Sequence, residues 1–511
     1  MARYCIASRL ATSNAPKATS HGRSGLRAEA FVSMEDPAAG TSRISMTDPA
    51  PVEARVIELT PEEAAARRAE MSSDLILEEE KLRWHGMLHP MAQQAISGTQ
   101  LSPGVGAAIE LQATLDGRPV EAATVMLSLR ALRGWTGTVS TASTDKDGKA
   151  AALYDPRLWQ PVFLTVAPRS GAWSGYRPVT SAQMNIPLLA LPRSGPLAWW
   201  HHSLGISRYS PQLGRGIRVG IIDTGIGPHP YLAHAKHAGA IVAGQLDESE
   251  NATNDVAEHG THVAGIIGAR PSELTDYAGV APGVELVVVR VYPGGGPVGA
   301  ESGFTNNGDI AQAITRLSVD EGCDIINLSS SGPLPSDIET DRITAAFNSG
   351  TLLVCSAGNG GGPPVLYPAA SPVVVGVAAM GILNTTPFTA ADIFGMPTFP
   401  DRYSATGAYL AAFSSFGPEI KCLAPGVGII STVPTSDNSQ HTYMAASGTS
   451  MAAPLVTGAL AALLSQDATY NSLPRTAERA VRAWNILART FRSLGLFFAY
   501  QGFGLPTILA N

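Results

Sequence analysis

From about residue 196 the chain alternates long apolar runs with polar or glycine-rich segments. The runs "IRVGIID", "VELVVVRVY", "CDIINLS", "TLLVCSAG" and "PVVVGVAA" carry Val, Ile and Leu at successive positions rather than at every second one. Strands apolar on both sides are buried on both faces, so these runs predict a parallel sheet flanked by helices, an α/β fold. Active sites of such sheets collect at the carboxyl ends of the strands. "SGTSMAAPLVTGALAALL" is Ala-rich and apolar nearly throughout, which predicts a buried helix starting at Ser450, with Pro454 in its first turn.

Two earlier regions read differently. Residues 103–190 hold β-rich runs ("AIELQATLDGRPVEAATVMLSLRAL", "GTVSTASTDKDGKAAALYD", "PVFLTVAP") punctuated by Asp-Gly at 116–117 and 147–148. That spacing predicts a small antiparallel β-sandwich, a spacer or interaction module. Residues 1–90 contain "EARVIELTPEEAAARRAEMSSDLILEEE", an alternating strand, an Ala-rich helix and a second strand. Thr60-Pro61-Glu62-Glu63 combines a cap, a first-turn proline and a capping-box glutamate. The pattern predicts a small α+β module. "RYCIAS" reads as a short strand, and residues 11–50, poor in periodicity, as loop.

Composition narrows the function classes. A chain of 511 residues implies two or three domains, and the formal net charge of −7 argues against nucleic acid or an anionic membrane surface as the main partner. No segment has the unbroken apolar length of a membrane span. Cys5, Cys323, Cys355 and Cys422 are scattered and read as small core residues rather than a disulfide framework or metal site. "MARYCIASRLATSNAPKATSHGRSGLR" lacks the apolar core of a secretory signal, so a cytoplasmic location is expected.

Three motifs carry candidate chemistry. In "GIIDTGIG", Asp223 ends a buried strand; an aspartic protease would need a second Asp-Thr-Gly, and the chain has one. In "EHGTHVAGIIGA", His259 and His262 open an apolar helix without the His-Glu-x-x-His of a zinc protease, and an exposed His259 suits acid–base work. In "SGTSMAAP", Ser450 stands where a helix N-terminus favours developing negative charge, although a plain helix cap has the same composition. Asp, then His, then Ser is the chain order of one serine-protease class.

"VGIIDTGIG", "HGTHVAG", "YAGVAPGVEL", "DIINLS", "SAGN", "SSFGPEIKCLAPG" and "SGTSMAAP" together resemble subtilisin-family serine proteases over residues 196–511. The resemblance implies a subtilisin-like fold and a serine endopeptidase acting on protein or peptide substrates, with Asp223, His259 and Ser450 as triad and Asn359 as oxyanion donor. It also likens the "TPEEAAARRAEMSSDLILEEE" unit to part of the family's inhibitory propeptide, a possible intramolecular inhibitor, here separated from the catalytic domain by the β-sandwich. A plain surface module is the competing reading. No cofactor or metal is carried over, because "ARPSELTDY" lacks the Asn-rich calcium loop of secreted members. Residues 381–411 are longer than the usual link, and ordinary loop drift is the expectation. "SSSG", Ser329, Ser330, Ser331 and Gly332, matches one pocket wall, with Ser331 in place of a glycine, and Leu366 precedes Tyr367 on the other. Both changes remove volume, so small or medium uncharged residues are expected at the position before the cut (P1). The rival reading is a catalytically silent peptide-binding scaffold; silent members usually lose a triad group, and here all four groups are present.

Overall fold

A parallel sheet built from the apolar runs after residue 196 dominates the computed structural model, which describes residues 1–10, 54–85, 106–133, 137–294, 303–435 and 443–508. The segment 11–50, read above as loop, lies outside them. The sheet has nine strands among the described residues. Strand Arg218–Asp223 pairs in parallel with Glu285–Arg290 on one side and Ile325–Leu328 on the other. Leu352–Ser356, Val375–Ile382 and Cys422–Pro425 continue the parallel order. Each run is buried along nearly its whole length, as strands covered on both faces must be. The central helix Thr449–Ser465 has every residue buried except Leu463 and Ser465, and all of His259–Gly268 is buried.

Two smaller units precede this domain. In the first, β1 (Ala2–Ser8) lies between β2 (Arg55–Leu59) and β3 (Leu75–Glu79), antiparallel to both. Helix α1 (Pro61–Glu70) has the capping box expected of it: Glu63 N–H donates to Thr60 Oγ1 at 3.2 Å and Thr60 N–H to the Glu63 carboxylate at 2.8 Å. Because strand side chains alternate, β1 faces two cores. Tyr4 packs with Leu59, Ala64 and Leu77 within the module, while Cys5 and Ala7 pack with Ala311 and Ile338 of the large domain. The strand β4 (Leu82–His85) leaves the module and, among the described residues, pairs only with strands of the large domain.

In the second unit, two four-stranded sheets share one core of Ile109, Leu111, Leu127, Leu164 and Ile186, with their neighbours. Asp116 and Gly117 both have positive φ (51° and 76°), the conformation of a tight two-residue hairpin turn, and join Ala107–Leu115 to Arg118–Pro119. This two-sheet unit packs against residues 381–411. Tyr176 meets Phe394 edge-on at 4.3 Å, Ala391 N–H donates to the Ser174 carbonyl at 2.7 Å, and Tyr176 N–H to the Thr389 carbonyl at 3.0 Å. All four cysteines are buried, free thiols.

Candidate active site

Asp223 closes its strand, His259 opens the helix His259–Gly268, and Ser450 is the second residue of Thr449–Ser465. His259 Nδ1 lies 2.6 Å from Asp223 Oδ1, which also accepts the Thr224 N–H at 2.7 Å. A carboxylate only accepts, so Nδ1 carries the proton and the neutral ring presents its lone pair at Nε2. Nε2 is buried and has no hydrogen-bond partner among the described residues. Ser450 Oγ donates to the Ser329 carbonyl at 3.1 Å.

The local sequence explains how His259 meets Asp223. A Cβ at Gly260 would stand 2.0 Å from the Gly225 carbonyl oxygen, so only glycine lets the histidine helix approach the end of the aspartate strand this closely. Asp255, which sequence reasoning missed, ties the same two segments together. Its carboxylate accepts from Thr224 Oγ1 at 2.7 Å and from Thr261 N–H at 2.8 Å, and Thr224 Oγ1 accepts the Gly260 N–H at 2.9 Å. Burial pushes the Asp255 pKa up, against the hydrogen bonds it receives. Its one sequence signal was an acid four residues before His259, in a segment that also holds Glu258. His262 points elsewhere: Nε2 bonds the Met444 carbonyl at 3.0 Å, and burial holds its pKa down at about 4. Among the described residues, no three His, Cys, Asp or Glu side chains gather where a metal could sit.

Two expectations need correction. Pro454 is the sixth residue of its helix, so it lies in the second turn, where its missing N–H would have bonded the Ser450 carbonyl. Ser329 Oγ replaces that donor at 3.1 Å, tying the serine helix to the strand edge beside it. His259, expected to be exposed, has no exposed surface. The cause is β4, whose His85 packs against the His259 ring at 4.8 Å and meets Tyr292 edge-on at 5.2 Å.

β4 completes a three-stranded antiparallel sheet. Leu82, Arg83 and Trp84 pair with Asn306, Thr305 and Phe304 on one side; Trp84 and His85 pair with Ser331 and Ser330 on the other. Ser330 Oγ lies 2.7 Å from the Tyr292 hydroxyl. A Cβ at Gly332 would meet the Leu82 carbonyl at 2.6 Å and Arg83 Nη1 at 2.7 Å, so this glycine makes room for the incoming strand. Burial, with the neighbouring His259, holds the His85 imidazole far below its usual range, at about 3. Sequence reading placed residues 82–85 inside the 1–90 module but gave this strand no role.

Asn359 follows the strand Leu352–Ser356, and its Oδ1 accepts both the Thr449 N–H and the Thr449 hydroxyl at 2.9 Å. A backbone N–H can only donate, so the amide orientation is fixed and the Nδ2 group faces the other way. Leu366 backs this loop: a Cβ at Gly358 would come within 2.5 Å of its side chain.

Residues 214–504 match the model of the Subtilase family. The chain is 33% identical to subtilisin DY of Bacillus licheniformis over 304 residues, which cover 58% of this chain and 91% of that protein. It is 32% identical over 282 residues to subtilisin Savinase of Lederbergia lenta, covering 55% and 86%. It is 34% identical over 259 residues to the thermostable alkaline protease of Halalkalibacterium halodurans, covering 51% and 60%. With the parallel sheet and the Asp223–His259 pair in place, the chain belongs to the subtilase family and is a subtilisin-like serine endopeptidase.

Proposed function

We propose that this endopeptidase works through an Asp223–His259–Ser450 triad and folds with its own N-terminal segment lying as an inhibitor in the substrate cleft. The observation that carries the reading is β4, paired on both edges and set against His259. In catalysis the Ser450 hydroxyl turns from the Ser329 carbonyl to His259 Nε2, which takes its proton as Oγ attacks the substrate carbonyl. Asp223 stabilises the imidazolium and fixes its tautomer without taking the proton. Asn359 Nδ2 and the Ser450 N–H hold the oxyanion, and His259 returns the proton to the leaving amine. The acyl-enzyme is then hydrolysed by water through the same base.

The inhibitor reading is supported by how the module is fastened. Glu78 accepts from Asn307 Nδ2 at 2.8 Å and from the Asp337 and Ile338 N–H groups at 3.1 Å, closing the N-terminus of the helix Asp337–Asn348. Lys81 N–H donates to Asn307 Oδ1 at 2.9 Å, and Leu10 N–H to Asp341 at 2.8 Å. We also keep the narrow P1 pocket: Ser331 stands at the strand edge opposite Trp84, and Leu366 backs the Asn359 loop. Peptides varied at P1 should favour Ala, Ser or Leu, and Leu366→Gly should widen the choice toward aromatics; wild-type preference for Phe or Tyr would refute it. The buried free thiols favour a reducing compartment such as the cytoplasm, and cell fractionation tests that.

A fluorophosphonate probe tests the core reading. It should label Ser450 in the folded chain once the cleft opens, and Ser450→Ala should abolish labelling; no labelling of wild type under any condition that releases residues 82–85 would overturn it.

A further inference from the structure

The substrate cleft carries one buried charge that the triad does not use. Arg83, on β4, has no exposed surface, and its guanidinium grips Glu339 side-on: Nε donates to Oε1 at 3.0 Å and Nη2 to Oε2 at 2.7 Å. Nη2 also donates to the Leu334 carbonyl at 3.0 Å and Nη1 to the Leu82 carbonyl at 3.2 Å. Glu339 belongs to the large domain, in the first turn of the helix Asp337–Asn348, with its N–H capped by Ser336. It is 2% exposed.

Register gives this pocket its meaning. His85 pairs with Ser330, and the next residue of the pocket strand, Ser329, offers its carbonyl to the Ser450 hydroxyl. A substrate lying in the same antiparallel register brings the residue after the His85 position to Ser329 and Ser450, making it P1. Counting back, His85 stands at P2, Trp84 at P3 and Arg83 at P4. Alternation along the strand turns P2 and P4 to the same face, one against His259 and the other against Glu339.

We propose that Glu339 makes the P4 pocket of this protease select arginine, so that its substrates are extended peptides carrying Arg three residues before P1. This rests on the reading of β4 as a strand lying in substrate register. A planar guanidinium satisfies both carboxylate oxygens and a backbone carbonyl at once; an ammonium meets them as a single point, and an apolar side chain leaves the carboxylate desolvated without a partner. The pocket therefore selects by rejection as well as by attraction. The other charged groups of this corner, Glu78 and Lys81, sit on the N-terminal module rather than in the pocket wall.

The test uses the full chain after incubation, with the active fraction titrated by a fluorophosphonate, and quenched peptides built on Leu-Arg-Trp-His-Gly-Met. The second residue is Arg, citrulline, Lys or norleucine. In wild type kcat/KM for Arg should exceed that for citrulline and norleucine at least about tenfold, with Lys between. Glu339→Gln should bring the Arg-to-citrulline ratio near one while the titrated fraction shows the variant folded. Glu339→Asp, a shorter carboxylate, should retain part of the preference. Cleavage of all four peptides at similar rates by wild type overturns the pocket assignment and leaves the protease reading standing. An Arg preference that survives Glu339→Gln overturns the role of Glu339. Failure of wild type both to label and to cleave overturns the pocket together with the mechanism beneath it.

Discussion

The two units that precede the catalytic domain touch it in opposite ways. Besides the apolar contact of Cys5 and Ala7, the N-terminal module docks through buried polar groups: Glu78 on a helix end, Arg83 on Glu339, and a strand inserted beside Ser330 and Ser331. The two-sheet unit docks mainly through apolar and backbone contacts, with Tyr176 on Phe394, Trp173 in the large domain's core and backbone bonds to Thr389, Ala391 and Tyr443, and its Arg169–Glu258 pair is largely exposed. Buried charges that are matched on both sides tolerate one register and one partner, whereas an aromatic patch tolerates adjustment. The contrast fits the proposed reading, in which the first unit controls the cleft and the second is a fixed attachment.

Breaking the polar dock should have the largest effect. Glu78→Ala removes the acceptor of the Asp337 and Ile338 N–H groups and one partner each of Asn307 and Lys81, at a cost of about 3 kcal/mol. Peptide hydrolysis by the uncut chain should rise on the order of a hundredfold in that variant; an unchanged rate would make the module a surface ornament. Asn359→Ala addresses the chemistry alone. Its kcat should fall roughly a hundred- to a thousandfold, while hydrogen exchange in residues 75–85 stays as in wild type.

Acid separates the two docks next. The docked His85, facing His259, Asp223 and Tyr292, holds its pKa near 3, and a released histidine returns to about 6.5. Released tail binds more protons between these values, so docking is strongest above about pH 6.5 and weakens up to about tenfold per pH unit as pH falls toward 3. Glu78 acts in the same direction: burial pulls its pKa up, but the bonds from Lys81, Ser336 and Ile338 together hold it below the usual carboxylate value. Its contribution is present above the ordinary Glu range and is lost as pH falls through the docked value. Hydrogen exchange in residues 75–85, corrected for intrinsic rate, should therefore increase between pH 7.5 and 5.5, and His85→Gln should flatten most of the change. Exchange in the two-sheet unit should not respond. The smallest effect is expected from Phe394→Ala, which removes the edge-on contact to Tyr176 and should loosen that dock by about 1 kcal/mol, read as faster exchange at residues 173–178, with peptide hydrolysis within twofold of wild type.

How much of this was legible in the sequence varies with the range of the interactions. The central strands and the capping box around Thr60 are set by local patterns and were readable residue by residue. The positions of Asp223, His259 and Ser450 at strand and helix ends were readable too, because small residues and a break in apolar periodicity mark such ends. Pro454 was misjudged although it stands beyond the first turn even of a helix starting at Ser450; what only the structure shows is that Ser329 replaces the lost donor. The burial of His259 and the pairing of Arg83 with Glu339 join residues far apart in the chain, and no local signal distinguishes Leu82–His85 from any short strand. The seat of the two-sheet unit was hidden for the same reason, since an insertion's length does not say what packs on it.

The central claim is that β4 lies in the cleft as a substrate strand, and its register names one bond. In the sequence, His85 is followed by Gly86 and Met87, and Gly86 is small and uncharged, as the narrow P1 pocket requires. Intact-mass and N-terminal analysis of the incubated chain should reveal a new terminus at Met87, with the Ser450→Ala chain left whole. A chain that labels at Ser450 yet is cut at some other bond between residues 80 and 106, or stays uncut, would contradict the register and the account built on it.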